Sequence, residues 1–578
     1  MYKENTEHLQ IPMMSDLDNL SDKSRKRLEE SWAGDFRQDV FVRIDESIYA
    51  VLYSDIPSRP NEPINVLVGL EILKSGYGWT DLEMYDHYLY DMQVRYALGH
   101  SNFGEGEFEL RTVYNFRARL TNHMKETGEN LIEKTFEQIT DEQIEAYQIK
   151  TGKQRMDSTQ IASNIRDMSR LQLLVEILLR VYRMLDETDQ TQYAEKFEPY
   201  RKGSSGQYFY RIKGEDTDSH LQRIGELMQT LVEELHEKYQ DDPTYKILTR
   251  VFDEHFIVEE SQLRTKMGQE LRADSLQSPD DPDATYRQKC GKDYVGYSSN
   301  LDETCDPEND LQLIVKVQTE PNTTDDADML EEALPEIASR MDVDEMNTDG
   351  GFNSADVDKA MREHGVEHIQ TAIRGAKPSE DTLNLKDFQW ETNDEGQPEQ
   401  VTCPNEQTVP VIPGQADDRY LAYFDQSICD NCPLRDKCPA DPLKRTPQRV
   451  LRFTQQQVNV AQRRQRSAEA RASGQNLRAA VEASVRSLKH PFGNGKLPVR
   501  GKPRMSMMIA SSAAMCNLRR IHRYQAAKRA EQKQENEAQA QANLTAKNCW
   551  ESYFSFFSGF CNYLRNFLNS QPISAFCR

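Results

Sequence analysis

The sequence contains the stretch Asn347-Thr348-Asp349-Gly350-Gly351-Phe352-Asn353, in which an apolar-alternating run ends in an aspartate and two glycines turn the chain. A helix-like segment, 354–364, follows at once. A carboxylate at a strand end is held rigidly at the edge of a sheet, where metal-dependent enzymes place acidic ligands. Asp-Gly is also the commonest turn dipeptide, so the stretch alone favours an ordinary turn. A catalytic interpretation of Asp349 therefore depends on partners elsewhere in the chain.

A second aspartate, Asp157, lies in the middle of a predicted strand, 155–161. Apolar and β-branched patterns predict further strands, and helical periodicity predicts intervening helices. These elements are the strands 294–297, 311–317 and 368–373 and the helices 325–340 and 354–364. Their order predicts an α/β fold with a small mixed sheet covered by helices. The two aspartates become neighbours if the strand before Asp349 pairs beside the first strand.

A third carboxylate is expected on a helix, because three acids from different elements suffice to hold two magnesium ions. Arg478, Glu482 and Lys489 fall within about 40° of one another at 100° per residue, so they share one helix face. Glu482 is therefore the predicted third ligand. The alternative is an ion pair between Arg478 and Glu482 on a solvated face. Glu469 is the competing acid, but it precedes Gly474 and has no lysine on its face.

Charge is strongly segregated along the chain. The net charge is −24, yet residues 444–529 contain 20 Lys and Arg and only two acids, a local charge of +18, so the remainder carries −42. Such segregation is typical of a polyanion-binding face on an acidic protein, although a basic helix can also be merely well solvated. The predicted DNA-binding residues are Arg478, Lys489, Arg486, Arg463, Arg464, Arg466, Lys496, Arg500, Lys502 and Arg504.

Four cysteines form the pattern Cys403…Cys429-x2-Cys432-x5-Cys438 in a segment that is otherwise rich in predicted loops. Ten cysteines in 578 residues do not suggest a disulfide scaffold. The pattern favours a structural zinc knuckle with thiolate ligands. Reduced free thiols are the alternative, because the x5 spacing and the distant Cys403 are looser than in a standard zinc finger.

Membrane association is not expected from this sequence. No apolar run reaches about 18 residues, the length needed for a membrane-spanning helix. The N-terminal residues lack a basic and then apolar signal segment, which predicts a cytoplasmic protein.

Three motifs together resemble the DDE-type transposases of bacterial insertion sequences. They are Met156-Asp157-Ser158-Thr159, Thr348-Asp349-Gly350-Gly351-Phe352 and the spaced set Arg478-x3-Glu482-x6-Lys489. The last set matches a signature of tyrosine, arginine, glutamate and lysine, except that Gln475 stands at the tyrosine position. Residues 63–120, with Ala97-Leu98-Gly99 and Asn115-Phe116-Arg117, resemble the InsH-type N-terminal region of these proteins. The resemblance extends from near residue 40 to Tyr524.

The resemblance implies an RNase H-like catalytic domain and a cut-and-paste recombinase. Asp157, Asp349 and Glu482 would hold two Mg²⁺ (or Mn²⁺) ions, and Arg478 and Lys489 would grip DNA phosphates. The implied partner is double-stranded DNA, both the terminal inverted repeats and the target, with a homodimer in the DNA complex. The implied location is the bacterial cytoplasm, associated with the nucleoid. A nuclease that does not join strands and a catalytically inactive DNA-binding derivative are the alternatives.

The predicted domain organisation follows the same reading. It comprises a mobile N-terminus (1–40), a helical DNA-binding or dimerisation domain (41–145), an RNase H-like core (150–164 and 285–375), a helical insertion (165–284), a Cys-rich insertion (376–445), a basic helical segment that completes the core (446–524) and a helical, aromatic tail (525–578). For the helical N-terminal domain, a cap on a larger domain is an equally good interpretation. The aromatic end of the tail is consistent with an amphipathic interaction helix.

Overall fold

The structure is a computed structural model. It describes residues 1–10, 13–54, 56, 59–260, 262–289, 291–371, 373, 379, 381–393, 395–416, 418–472 and 477–569. The chain is a mixed α/β protein, which confirms the predicted fold class at that level.

The helices are α1 Asp22–Glu29, α2 Trp32–Asp39, α3 Ile64–Tyr77, α4 Asp81–Tyr90, α5 Met92–Ala97, α6 Leu110–Thr127, α7 Leu131–Tyr147, α8 Arg170–Met184, α9 Glu187–Gln192, α10 Ala194–Arg201, α11 Ser205–Tyr210, α12 Thr217–Tyr239, α13 Pro243–His255, α14 Asp326–Arg340, α15 Ala355–Glu363, α16 Gln426–Asp430, α17 Gln455–Ala472, α18 Val481–Lys489 and α19 Lys502–Asn569. The strands are β1 Lys153–Ala162, β2 Phe256–Glu259, β3 Gln262–Thr265, β4 Thr285–Lys289, β5 Lys292–Thr304, β6 Ile314–Pro321, β7 Glu345–Thr348, β8 Glu367–Gln370, β9 Gln389–Thr392, β10 Pro398–Thr402, β11 Thr408–Pro413, β12 Arg419–Asp425, β13 Asp441–Pro442 and β14 Gln448–Thr454.

The central sheet has the strand order β4–β5–β1–β7–β8, with β6 also paired to β5. Strand β1 is the third of these five strands; it is antiparallel to β5 and parallel to β7. Its register places Arg155 opposite Asn347 of β7. The side chain of Ser354 accepts a hydrogen bond from the Val357 amide and so caps α15, which begins directly after the turn that follows β7. This register places the C-terminal end of β7 beside the middle of β1.

The N-terminal helices share one hydrophobic core with the sheet and with α19. Phe36 of α2, Leu70 of α3, Ile161 of β1 and Met515 of α19 are all buried in this cluster. Within the segment 1–40, which was predicted to be mobile, helix α2 packs in this core. The helices of the predicted N-terminal domain, 41–145, also contribute to it. An amphipathic pattern predicts that a helix face is buried but not which element covers it.

Two insertions have cores of their own. Helices α8, α12 and α13 surround a cluster that includes Leu174, Leu231 and Leu248. The Cys-rich segment, predicted to be loop-rich, instead forms an antiparallel sheet with the order β13–β14–β12–β11–β10–β9. Strand β14 pairs with β12 in this sheet, so the insertion extends beyond the predicted boundary at 445. Strands β10, β11 and β13 contain proline, which weakens the period-two pattern that would indicate them.

The C-terminal helices also differ from expectation. The segment 446–524 was predicted to be helical; within it, α17 ends at Ala472 and α18 begins at Val481 after a 3₁₀ turn, Leu477–Ala480. Helix α19 runs without a break from the core into the segment predicted as a separate tail. No helix in the described part of the chain combines the length and apolar character that crossing a membrane requires.

Candidate active site

Asp157 and Asp349 come from adjacent parallel strands. Asp157 is in β1, and Asp349 directly follows the last residue of β7. Because Arg155 is paired with Asn347, each aspartate lies two residues further along its own strand, on the same side of the sheet. The Gly351 amide donates a hydrogen bond of 2.6 Å to Oδ1 of Asp349, which fixes this carboxylate at the turn. The structure therefore brings these two predicted ligands together.

The end of β7 is also held from behind by a histidine. His368 of β8 is buried, and its Nε2 lies 2.7 Å from Oγ1 of Thr348, the residue before Asp349. Burial lowers the pKa of His368 to about 3, with a smaller contribution from Arg463 and Arg466, so the ring is neutral at physiological pH. The neutral His368 ring can therefore hydrogen-bond with Thr348 without adding a positive charge near Asp349.

Arg478 faces both aspartates. Its Nη2 lies 3.1 Å from Oδ2 of Asp157 and 3.7 Å from Oδ2 of Asp349. Burial raises the pKa of Asp157; the positive charge of Arg478 opposes this shift, and the negative charge of Asp349 adds to it. The Nε of Arg478 is buried and has no hydrogen-bond partner among the residues that the structure describes. Two carboxylates thus lie close to one guanidinium, whose Nε–H makes no hydrogen bond to a described residue.

Helix α18 lies across β1 on the side that carries Asp157. Arg155 donates to the backbone oxygen of Leu477, just before α18, and Nζ of Lys489, at its end, lies 2.6 Å from Oγ1 of Thr159. Within α18, Glu482 and Lys489 are seven residues apart and so share a face. The Glu482 side chain is exposed to solvent. Glu482 is therefore placed on the helix that covers β1, on the face that carries Lys489.

The three acids are not drawn into a closed ligand set. Among the described residues, no group of three or more His, Cys, Asp or Glu side chains is arranged to hold a metal ion. Arg478 lies in the 3₁₀ turn and not in α18. The prediction that it shares an α-helix face with Glu482 and Lys489 is therefore wrong, because the α-helical spacing applies only from Val481 onward. Gln475, at the tyrosine position of the signature, and Gly474 lie outside the described residues.

Glu303 is a functional residue that sequence reasoning missed. This β5 carboxylate is fully buried and accepts hydrogen bonds from Arg155 (2.7 Å), Arg520 (2.6 Å) and Ser484 (2.7 Å). Ser484 belongs to α18 and Arg520 to α19, so Glu303 ties both helices to the sheet beside Asp157. The local signal was weak, because Glu303 follows another acid, Asp302, near the end of a strand that is rich in polar residues.

Many of the predicted DNA-binding side chains are engaged within the protein. Arg463 is buried against Asp358 of α15 (3.2 Å) and Asn353. The other intramolecular contacts are Arg466 with Glu367, Lys496 with the backbone oxygen of Ile165, Arg500 with the backbone oxygen of Asn164 and with Asp280, and Lys502 with Glu320. Arg464 is half-buried, and Arg486 and Arg504 are exposed. Arg504 lines a cavity of about 520 Å³ with Arg117, away from the aspartates. The basic residues brought to β1 are Arg478 and Lys489.

The four cysteines of the second sheet share one small cavity. Cys403, Cys429, Cys432 and Cys438 all line one cavity of about 30 Å³. Burial raises the pKa of Cys429 and of Cys438, and the neighbouring thiols add to the shift. The Leu434 amide donates to Sγ of Cys432 at 3.4 Å. The structure brings these residues together as a cluster, but not as a closed ligand set.

Comparison with known proteins gives one match. Residues 402–522 match the family model described as Transposase DDE domain. The match supports a DDE transposase. Transposases of that family act on DNA and generally use divalent metal ions. No curated protein sequence and no solved structure matches the chain.

The matched range begins at the last residue of β10 and ends within α19. It therefore includes the cysteine cluster and the residues Arg478, Glu482 and Lys489. Asp157 and Asp349 lie outside it. Their link to the matched region is the contact with Arg478.

Proposed function

We propose that this protein is a DDE transposase that cleaves DNA at the terminal inverted repeats of a bacterial insertion sequence and transfers the ends to target DNA. The observation that carries the proposal is the convergence of Asp157 and Asp349 on Arg478, a residue of the matched Transposase DDE domain. A mixed sheet flanked by helices, with these acids on adjacent parallel strands, supports an RNase H-like core. The InsH-type helical cap and a cytoplasmic, nucleoid-associated location belong to the same proposal.

Asp157, Asp349 and Glu482 are the residues that would hold two Mg²⁺ or Mn²⁺ ions. Carboxylate oxygens are the hard donors that these ions prefer, and the guanidinium of Arg478 shows that a positive charge is accommodated between the two aspartates. The exposed Glu482 is on the helix above them and has the solvent access that a substrate-shared ion requires. The chemistry available from ions bound there is activation of a water or 3′-hydroxyl and neutralisation of charge on the scissile phosphate.

Arg478 and Lys489 are proposed to bind the DNA backbone. They contact β1 at Asp157 and Thr159, which are about 7 Å apart along the strand, so a DNA strand laid along β1 reaches both cations. Burial and the neighbouring charges of Lys292 and Arg486 lower the pKa of Lys489, an electropositive setting that favours a phosphate. Arg486 is exposed near Lys489 and extends this surface, whereas Arg463 is held in a buried ion pair and Arg504 lines a cavity away from the aspartates.

The cysteine cluster is proposed to hold a structural Zn²⁺. Thiolates are soft donors that suit zinc, and all four cysteines line the same cavity. An amide that donates to Sγ of Cys432 is the kind of outer contact that orients a thiolate ligand. Cys403, Cys429, Cys432 and Cys438 would therefore tie the β10–β11 region of the second sheet to the α16 turn.

The experiment that tests the proposed function uses DNA that flanks the gene. Inverted repeats found there serve as substrates for cleavage with Mg²⁺ and, when pre-cut, for strand transfer. Asp349→Asn should abolish both steps while DNA binding persists. Asp342→Asn, which changes an exposed aspartate just before β7, is the matched control and should cleave normally. Cleavage without strand transfer would instead identify a nuclease, and binding without cleavage by the unaltered protein would identify an inactive derivative.

A further inference from the structure

Helix α19 extends far beyond the body of the protein. Its last ion pair with the core joins Arg529 to Asp35 (3.5 Å). The helix then continues for about 40 residues to Asn569, a length of about 60 Å at 1.5 Å per residue. The described side chains from Ala530 to Phe567 are exposed along this whole length. The projecting helix therefore carries a surface that the rest of the chain does not cover.

The end of this helix has a strict heptad pattern. Large apolar residues recur at alternating spacings of three and four, as in the a and d positions of a coiled coil. These seam residues are Trp550, Tyr553, Phe557, Phe560 and Leu564, and they are 41% to 68% exposed. The flanking e and g positions are also mostly aromatic, with Phe554, Phe556 and Tyr563. The remaining positions are small or polar: Glu551, Ser552, Ser555, Ser558, Gly559, Asn562, Arg565 and Asn566.

We propose that this aromatic seam pairs with the same seam of a second copy of the chain, and does so without DNA. A heptad seam is self-complementary, because a and d side chains of one helix fit between those of an identical helix. Burying about 100 Å² from each of the seam side chains of both copies removes on the order of 1,000 Å² from solvent, which reaches the lower range of specific interfaces. The aromatic e and g positions widen the face and add to that area.

A lipid surface fits the same helix less well. Interfacial helices carry a polar face rich in Lys and Arg, which attracts anionic headgroups. The polar face here consists mainly of Ser and Asn, and its charged residues are Glu551 and Arg565, which cancel. A second copy of the chain is therefore the occupant that the pattern favours.

The pairing goes beyond the proposed function, since it requires neither metal nor nucleic acid. The stretch of α19 from Glu531 to Asn548 separates the seam from the core, so two bodies joined at the tail keep their β1 surfaces apart and accessible. If the protein is a transposase, tail pairing supplies two active sites for two element ends before either end is bound.

The mass of the full chain in solution, measured by light scattering without DNA or divalent ions, tests this proposal. The unaltered protein should show twice the chain mass of 66.8 kDa. Phe557→Ser combined with Phe560→Ser should raise the dissociation constant by about 100-fold or more, because central aromatic residues dominate interfaces. Tyr210→Ser, at an 87% exposed tyrosine outside the tail, is the matched control and should leave the mass unchanged.

The proposal would be overturned by a single-chain mass for the unaltered protein, or by a double variant that stays paired. Binding of a single-chain form to phosphatidylcholine vesicles would equally overturn it in favour of a lipid surface. The seam is remote from the core, so circular dichroism should show the same thermal transition for variant and control. Because the assay contains no DNA, a single-chain mass would refute the tail pairing without bearing on the proposed cleavage activity.

Discussion

Replacing Arg478 by Gln removes the cation that, within the described part of the chain, pairs with both aspartates. At the observed separation of 3.1 Å, the gross attraction between Arg478 and Asp157 is about 5 kcal/mol for an effective dielectric constant near 20. Desolvation of both groups offsets much of this attraction, and the partners are 12% to 34% exposed. We therefore expect the free energy of unfolding to fall by about 1–3 kcal/mol at neutral pH.

The pH dependence of this loss follows from the pKa of Asp157. Burial and Asp349 raise that pKa above its unfolded value, and Arg478 opposes the rise. A carboxyl with a raised folded pKa binds a proton more tightly in the folded state, so its contribution favours folding at acid pH and is lost as the pH rises through the folded pKa. Without Arg478 the folded pKa is higher still. The variant's deficit should therefore be largest at neutral pH and shrink as Asp157 is protonated.

Urea unfolding of the Arg478→Gln variant across acid to neutral pH measures this effect. Arg486→Gln, which removes an exposed guanidinium from α18, is the matched control and should change the free energy of unfolding little at any pH. Mn²⁺ should restore more stability to Arg478→Gln than to the unaltered protein, because a bound cation replaces the missing charge. A deficit that is independent of pH and insensitive to Mn²⁺ would refute the convergence of the aspartates on Arg478.

Three further predictions concern the basic surface and the cysteines. Arg463→Gln leaves Asp358 buried without its partner and should lower the free energy of unfolding by about 3–5 kcal/mol, measured by urea denaturation, while the salt dependence of DNA binding stays the same. Lys489→Gln should reduce the slope of log affinity against log salt by about 0.9, the value for one phosphate contact, and an unchanged slope in a fluorescence-anisotropy titration would exclude that contact. Elemental analysis should find one zinc per chain. The Cys432→Ser variant should lose both the zinc and thermal stability, whereas Cys516→Ser, which changes a buried cysteine outside the cluster, should retain the zinc. A zinc-free unaltered protein would contradict the proposed site.

The sequence predicted the parts of the site that depend on local patterns. Asp157 in a strand, the Asp349 turn and the helix that follows it were predicted from period-two alternation, turn chemistry and helical periodicity. Glu303 was missed because its importance lies in contacts from Ser484 and Arg520, which are distant in sequence.

Other features depended on tertiary packing. A separate domain and a cap on a larger domain were equally good interpretations of the N-terminal helices, because periodicity does not reveal that α2, α3 and α19 bury their faces against one another. The wheel that joined Arg478 to Glu482 assumed a continuous helix, whereas the 3₁₀ turn redirects Arg478 to the aspartates. Charge counting gave a basic face but could not separate Arg463, buried against Asp358, from the exposed Arg486.

The central claim is that Asp157, Asp349 and Glu482 share divalent ions at β1. Iron-dependent backbone cleavage tests it most directly: Fe²⁺ replaces Mg²⁺ in the protein bound to its DNA, and peroxide with ascorbate then generates radicals that cut the chain beside the metal. The account predicts cuts next to all three acids, and the loss of all of them in Asp349→Asn. Cuts that omit Glu482, or that persist in Asp349→Asn, would contradict it.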